Sequence, residues 1–139
     1  MTDLRPLVYL TAGEVVRFNQ EILRRAGQPS AFLREEGLLD SAVQRPQNAA
    51  YYAEADLLTQ AALYMVGIAL NHPFVDGNKR TGYVSGMTFL RLNGVTTADV
   101  RLNNADVGIW LEQVVNRRLT FQAFVERLRA RITSNARPA

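Results

Sequence analysis

The spacing of apolar and polar positions divides the chain into helical segments. Thr11-Ala-Gly-Glu14 has the form of a capping box, with Thr11 as N-cap and Glu14 reaching back to it. Val15, Phe18 and Ile22 follow at helical spacing and Gly27 precedes Pro29, which predicts a helix over 12–26. Arg34 to Arg45 carries Leu38, Leu39, Ala42 and Val43 on one face and predicts a shorter helix. Pro46 is expected to end it, since a residue before proline avoids the α region. Residues 47–56 read as a loop or a short hairpin, with Tyr51 and Tyr52 exposed or half packed. Residues 57–70 are apolar nearly all round, with Asp56 as N-cap, and predict a central core helix. A second apolar segment, with Tyr83, Val84, Met87, Phe89, Leu90 and Leu92, closes at Asn93-Gly94. Val95 to Leu102 suits a short extended connection. Asn103 or Asn104 caps a helix bearing Val107, Trp110, Leu111, Val114 and Val115. Thr120 starts the last helix, with Phe121, Phe124, Val125, Leu128 and Ile132 on one side, and 134–139 read as a disordered tail. The expected architecture is an all-α domain over 1–139, with about six helices and at most a minor hairpin.

Between the two most apolar segments lies Asn71-His-Pro-Phe-Val-Asp-Gly-Asn-Lys-Arg-Thr-Gly82, which holds the chain's one histidine and one lysine. Such a polar hinge is costly between core helices and asks for a chemical reason. Pro73 moves His72 out of the helix. Phe74 is expected to plug the core and fix the loop. Gly77 allows close backbone approach. Asn78 suits the N-cap of the outgoing helix, leaving the amides of 79–81 free for a ligand. Lys79 and Arg80 then stand in the first turn, where the helix dipole is already positive and each cation is unfavourable by about 0.3–1 kcal/mol. Two cations, free amides and a glycine together suit a polyphosphate. Asp76 offers an oxygen ligand for Mg²⁺, and His72 is the candidate general base. Each residue alone has a plainer use: a packed or capping histidine, a solvated Lys-Arg pair, an Asp76–Arg80 ion pair. The glycine spacing of 77–82 does not make a Walker loop, because Tyr83-Val84 stands where Lys-Ser/Thr must follow.

Composition narrows the alternatives. The 139 residues are 47% hydrophobic and 21% charged and contain no cysteine, which removes disulfides and thiolate metal sites. One histidine leaves no His-rich zinc site. No apolar leader or membrane-length run is visible, so the cytoplasm is the expected compartment. The net charge of +3 is uneven: from Arg117 onward six arginines face Glu126 alone, +5, which leaves −2 on the rest. A basic terminal helix is commonly a solvated face, so nucleic acid is not the expected partner.

His72-Pro-Phe-Val-Asp-Gly-Asn-Lys-Arg80 resembles the signature of the Fic/Doc superfamily, His-x-Phe-x-Asp/Glu-Gly-Asn-Gly/Lys-Arg, and most closely its Doc ("death on curing") branch. The resemblance extends to Tyr9-Leu-Thr11, to Glu36-Gly-Leu-Leu-Asp-Ser-Ala-Val-Gln-Arg-Pro46 and to Phe89-Leu-Arg-Leu-Asn-Gly94. It implies the all-helical Fic fold with the signature loop between two central helices. By this resemblance His72 deprotonates a target hydroxyl and Phe74 anchors the loop. Asp76 holds the metal, Gly77 and Asn78 form the anion hole, and Arg80 binds phosphate. Residues 47–56 would lie where the family places its target-docking flap. Lys79 in place of Gly, and Tyr83 in place of a second Arg, are shared with Doc-type toxins. These transfer the γ-phosphate of ATP to a threonine of elongation factor Tu and are neutralised by a Phd-like antitoxin. Asp76-Gly77 keeps the general superfamily form, so AMP transfer is the second reading. A catalytically idle binding module is the third.

Overall fold

The computed structural model describes residues 6–29, 33–96, 102 and 104–132. Among them are six α-helices: α1 (Ala12–Arg25), α2 (Glu36–Ala53), α3 (Leu57–Asn71), α4 (Asn78–Leu92), α5 (Asn104–Val115) and α6 (Phe121–Ala130). The expected connection over 97–101, a cap at Asn103 and the tail 134–139 lie outside the described residues. The all-α expectation holds. The expected hairpin is not found among the described residues, where an antiparallel bridge joins Leu33 and Phe74.

Three helix starts follow the local rules. Thr11 and Glu14 form the full capping box of α1, Asp56 accepts from the Thr59 amide at 2.7 Å, and Thr120 accepts from that of Ala123 at 3.1 Å. α1 ends where expected, with Gly27 at φ 70°. α3 is the central rod: Tyr64, Met65, Ile68 and Ala61 are fully or almost fully buried. Its neighbour α4 makes its closest approach through small residues, while Phe89 packs against Tyr64 with ring centroids 5.1 Å apart. A Cβ on Gly82 would stand 2.6 Å from the Met65 carbonyl oxygen, and one on Gly86 2.8 Å from that of Ala61. The two helices therefore pack backbone to backbone, and the polar Thr81 and Ser85 of α4 are buried as well.

α2 departs from expectation. It runs through Pro46 to Ala53 and ends at Glu54 in the left-handed region (φ 53°). Proline inside a helix costs about 3 kcal/mol locally. Here Ala42, one turn earlier, sits against Gly67 of α3 and is fully buried, as is Leu39, while Pro46 is itself buried. The packing of α2 on α3 outweighs the local penalty. Residues 47–53 are thus helical, and Tyr51 and Tyr52 stand 80% and 81% exposed in an edge-to-face pair.

Side-chain amides fasten the irregular segments. Asn93 accepts from the Val8 amide at 2.8 Å and donates to the Val8 carbonyl at 2.9 Å, binding the N-terminal stretch to the end of α4. Tyr64 Oη accepts from the Leu10 amide at 3.0 Å, and Tyr9 Oη donates to Gln60 at 2.6 Å. The basic C-terminal helix is partly used internally. Arg129 pairs with Asp56, Arg131 with Asp106, and Arg127 and Arg131 lie over the Trp110 ring. No described helix is long and apolar enough to cross a membrane.

Candidate active site

The loop from His72 to Gly77 joins the end of α3 to the start of α4. His72 closes α3 in the left-handed region (φ 52°, ψ 54°), and its amide bonds the Ile68 carbonyl at 3.1 Å. Proline at 73 favours an extended His72, but the helix cap holds it otherwise. For a non-glycine this conformation costs roughly 1–2 kcal/mol. Arg34 offsets part of that: its Nη1 donates to the His72 carbonyl at 2.7 Å and lies 3.2 Å from Nδ1. The Arg34 amide also donates to the Pro73 carbonyl at 2.7 Å, beside the Leu33–Phe74 bridge. The stretch laid against the loop is therefore 33–34. The docking flap expected over 47–56 is instead the end of α2 and its cap.

Phe74 is 1% exposed and plugs the core as expected. Its backbone is held on both sides by Asn78, whose Oδ1 accepts from the Phe74 amide and whose Nδ2 donates to its carbonyl, both at 2.9 Å. This corrects the N-cap role expected of Asn78. Gly77 is the cap residue, at φ 78° and without a side-chain bond, and Asn78 is a buried clasp. Gly77 is required twice over, since a Cβ there would also meet Asn19 Nδ2 at 3.1 Å.

The first intrahelical bond runs from the Thr81 amide to the Gly77 carbonyl at 2.9 Å. The amides without a protein partner among the described residues are thus those of 78–80, one residue earlier than expected. Lys79 is ion-paired with Glu112 of α5, so it is not a free surface cation. That pairing holds the Glu112 carboxyl below the ordinary carboxylate range, first through the Lys79 hydrogen bond, then its charge, then a bond from Asn116. Arg80 is exposed and makes no ion pair among the described residues; in particular it does not pair with Asp76. Asp76 is exposed, and its Oδ1 accepts from the Gly77 amide at 2.7 Å. His72, Asp76, Gly77, Asn78, Lys79 and Arg80 all line one cleft of about 390 Å³, together with Tyr83 and, from α5, Gly108 and Glu112. Burial pushes the Tyr83 phenol up, and Arg91 opposes that.

Three contributors escape a reading of the sequence. Asn19 of α1 is 1% exposed and donates from Nδ2 to the Asp76 carbonyl at 2.9 Å and to Thr81 Oγ1 at 3.1 Å. The available signal was a polar residue on the buried stripe Val15–Asn19–Leu23. Arg34 and Glu112 are exposed residues far along the chain from the loop, and nothing local marks them. No group of three or more His, Cys, Asp or Glu stands together among the described residues. One carboxylate does fit Mg²⁺, which commonly takes a single carboxylate together with substrate phosphates. Asp76 Oδ2 has no partner among the described residues, which leaves it available.

Residues 9–90 match the profile of the Fic/DOC family, a span that includes the whole loop, all of α3 and all but the last two residues of α4. Toxin Doc of Mycolicibacterium smegmatis is 47% identical over 68 residues, 48% of this chain and 52% of that protein. Protein kinase doc of Escherichia phage P1 is 38% identical over 79 residues, 56% of this chain and 61% of that protein. The match thus spans between half and two thirds of the length of these curated relatives. The helical order, the loop geometry and the matched span have one conclusion: this chain belongs to the Fic/DOC family.

Proposed function

We propose that this protein is a Doc-type toxin that transfers the γ-phosphate of ATP to a serine or threonine hydroxyl of a protein. The observation that carries this reading is the start of α4, where three unpartnered amides and two cations face the same cleft as His72. An anion in that position would be held by the amides of 78–80, by the helix dipole and by Arg80. Lys79 would exchange Glu112 for phosphate. Asp76 would hold Mg²⁺, which neutralises phosphate charge when bound. Phe74, clasped by Asn78, keeps these groups in place.

His72 would take the proton from the attacking hydroxyl. A guanidinium can only donate, so in the contact with Arg34 the His72 Nδ1 is an acceptor, and the neutral ring carries its proton on Nε2. Accepting a further proton at the ring therefore requires the Arg34 contact to open. The names of the two relatives, a toxin and a protein kinase, support the same reading. By resemblance the target is elongation factor Tu in the cytoplasm, and a Phd-like antitoxin is the partner. The second reading is AMP transfer, which the Asp76-Gly77 form of the loop leaves open and Lys79 and Tyr83 oppose.

Protein incubated with a translation extract and ATP labelled at either the α or the γ position separates these readings. Label from γ is expected on a protein band; label from α would replace phosphate transfer with AMP transfer. His72→Ala should lower the rate by about 10²–10⁴ with unchanged circular dichroism, and should relieve growth arrest on expression.

A further inference from the structure

The cleft does not end at Lys79. A second depression, of about 460 Å³, shares Lys79, Gly108 and Glu112 with it and continues along α5 past Ile109, Gln113 and Asn116. Gly108 and Glu112 are spaced four residues apart on one stripe of α5, rising about 6 Å, and Asn116, just past the helix end, still bonds its amide to the Glu112 carbonyl at 3.0 Å. The two depressions adjoin at Lys79, Gly108 and Glu112 as a groove crossed by the Lys79–Glu112 ion pair, with His72 lining one part and Gln113 and Asn116 the other.

Gly108 stands in the interior of α5, where only proline is a worse helix former. Packing does not require it: a Cβ added there would meet nothing within 4 Å. It nevertheless lines both depressions, at the point where they join. Opposite chemistry flanks this bare patch. Ile109 is 57% exposed, an apolar surface beside it. Gln113 Oε1 accepts from Arg127 at 3.2 Å, which leaves its amide nitrogen to donate. Asn116 Nδ2 donates to Glu112 Oε1 at 3.2 Å, which leaves its oxygen to accept. Glu112 itself spans the groove to Lys79.

We propose that the nucleoside half of the nucleotide lies across α5 at Gly108, with the Glu112 carboxylate accepting hydrogen bonds from the ribose hydroxyls. This rests on the nucleotide reading above and deepens it. When the polyphosphate takes Lys79, Glu112 loses its cation and gains two hydroxyl donors at the same place, an exchange that keeps both charges partnered. The base then rests on the glycine and Ile109, within reach of one amide donor and one amide acceptor. The terminal phosphate falls at the His72 end of the groove.

Calorimetry with Mg²⁺ and three probes tests this: inorganic tripolyphosphate, ATP and 2′,3′-dideoxy-ATP. Wild-type protein should bind ATP about tenfold or more tighter than tripolyphosphate, and tighter than the dideoxy analogue by a similar factor. Gly108→Phe should bring ATP down to the tripolyphosphate level measured with the same variant. Asn116→Trp, one turn beyond Glu112, should crowd the same groove and act in the same direction. Glu112→Ala should erase the preference for ATP over the dideoxy analogue. Equal binding of ATP and tripolyphosphate by wild-type protein would overturn the inference, as would full ATP affinity in both crowded variants or a ribose preference that survives Glu112→Ala. Failure of tripolyphosphate to bind at all would instead remove the phosphate cradle, and the proposed function with it.

Discussion

α3 and α4 press backbone against backbone yet begin in opposite ways. α3 starts at Asp56, whose carboxylate accepts from the Thr59 amide and supplies negative charge where the helix dipole is positive. α4 starts at Gly77, with no side-chain cap, three amides unpartnered among the described residues and then Lys79 and Arg80. Every local preference satisfied at the first start is refused at the second. α2 also lacks a side-chain cap, but it has Glu36 in its first turn and no cation there, so the charge reversal is particular to α4. The difference teaches that one start is completed from within the chain while the other is not, and the second is where the proposed phosphate site lies.

The contrast can be broken most severely at Asn78. Asn78→Ala leaves the Phe74 amide and carbonyl without their partner, at about 1–3 kcal/mol for each buried group left unsatisfied. Urea unfolding should record a loss of that size, and nucleotide binding should fail with it. Loss of stability without loss of binding would mean that the clasp does not set the cradle.

Asp56→Ala should cost about 1 kcal/mol, the usual worth of an N-cap, with binding unchanged. The pH dependence of that loss has a definite sign. Burial would raise the Asp56 carboxyl, but the hydrogen bonds from Thr59 and the charge of Arg129 outweigh it, and the group lies below its ordinary 3.8. A carboxylate depressed in the folded state stabilises fully above its unfolded value and loses that contribution as pH falls through the folded one. Unfolding curves of wild type and Asp56→Ala should therefore stay apart at neutral pH and converge below about pH 4. A gap that persisted unchanged to the lowest pH would show the charge to be irrelevant.

The smallest effect should come from Arg80→Glu, with the opposite sign. Replacing a cation by an acid at the α4 start should raise stability by about 0.3–1 kcal/mol while abolishing phosphate binding. A fall in stability would show that Arg80 supports the fold rather than a ligand.

What could be read from the chain was what neighbouring residues decide among themselves. Thr11, Asp56 and Thr120 mark helix starts because a cap reaches only two or three residues ahead. The positive-φ glycines 27, 77 and 94 mark turns because the requirement lies within one residue. The loop 72–80 was legible because its chemistry is packed into nine consecutive positions. Pro46 misled for the same reason: its local penalty is visible in the sequence, while the burial of Ala42 and Leu39 against α3 that overrides it is not. Asn78 was assigned to the right place but the wrong task, since a cap and a clasp differ only in where the chain before it turns.

The sequence by itself determined the helical class, most of the helix starts and the residues that make the α4 start unusual, because periodicity, capping and charge near a helix end are short-range effects. Only the tertiary structure brought Asn19 to the Asp76 carbonyl, Arg34 to His72 and Glu112 to Lys79. Those contacts join residues 33 to 57 positions apart in the chain, and their existence depends on how α1, α2 and α5 pack around α3 and α4.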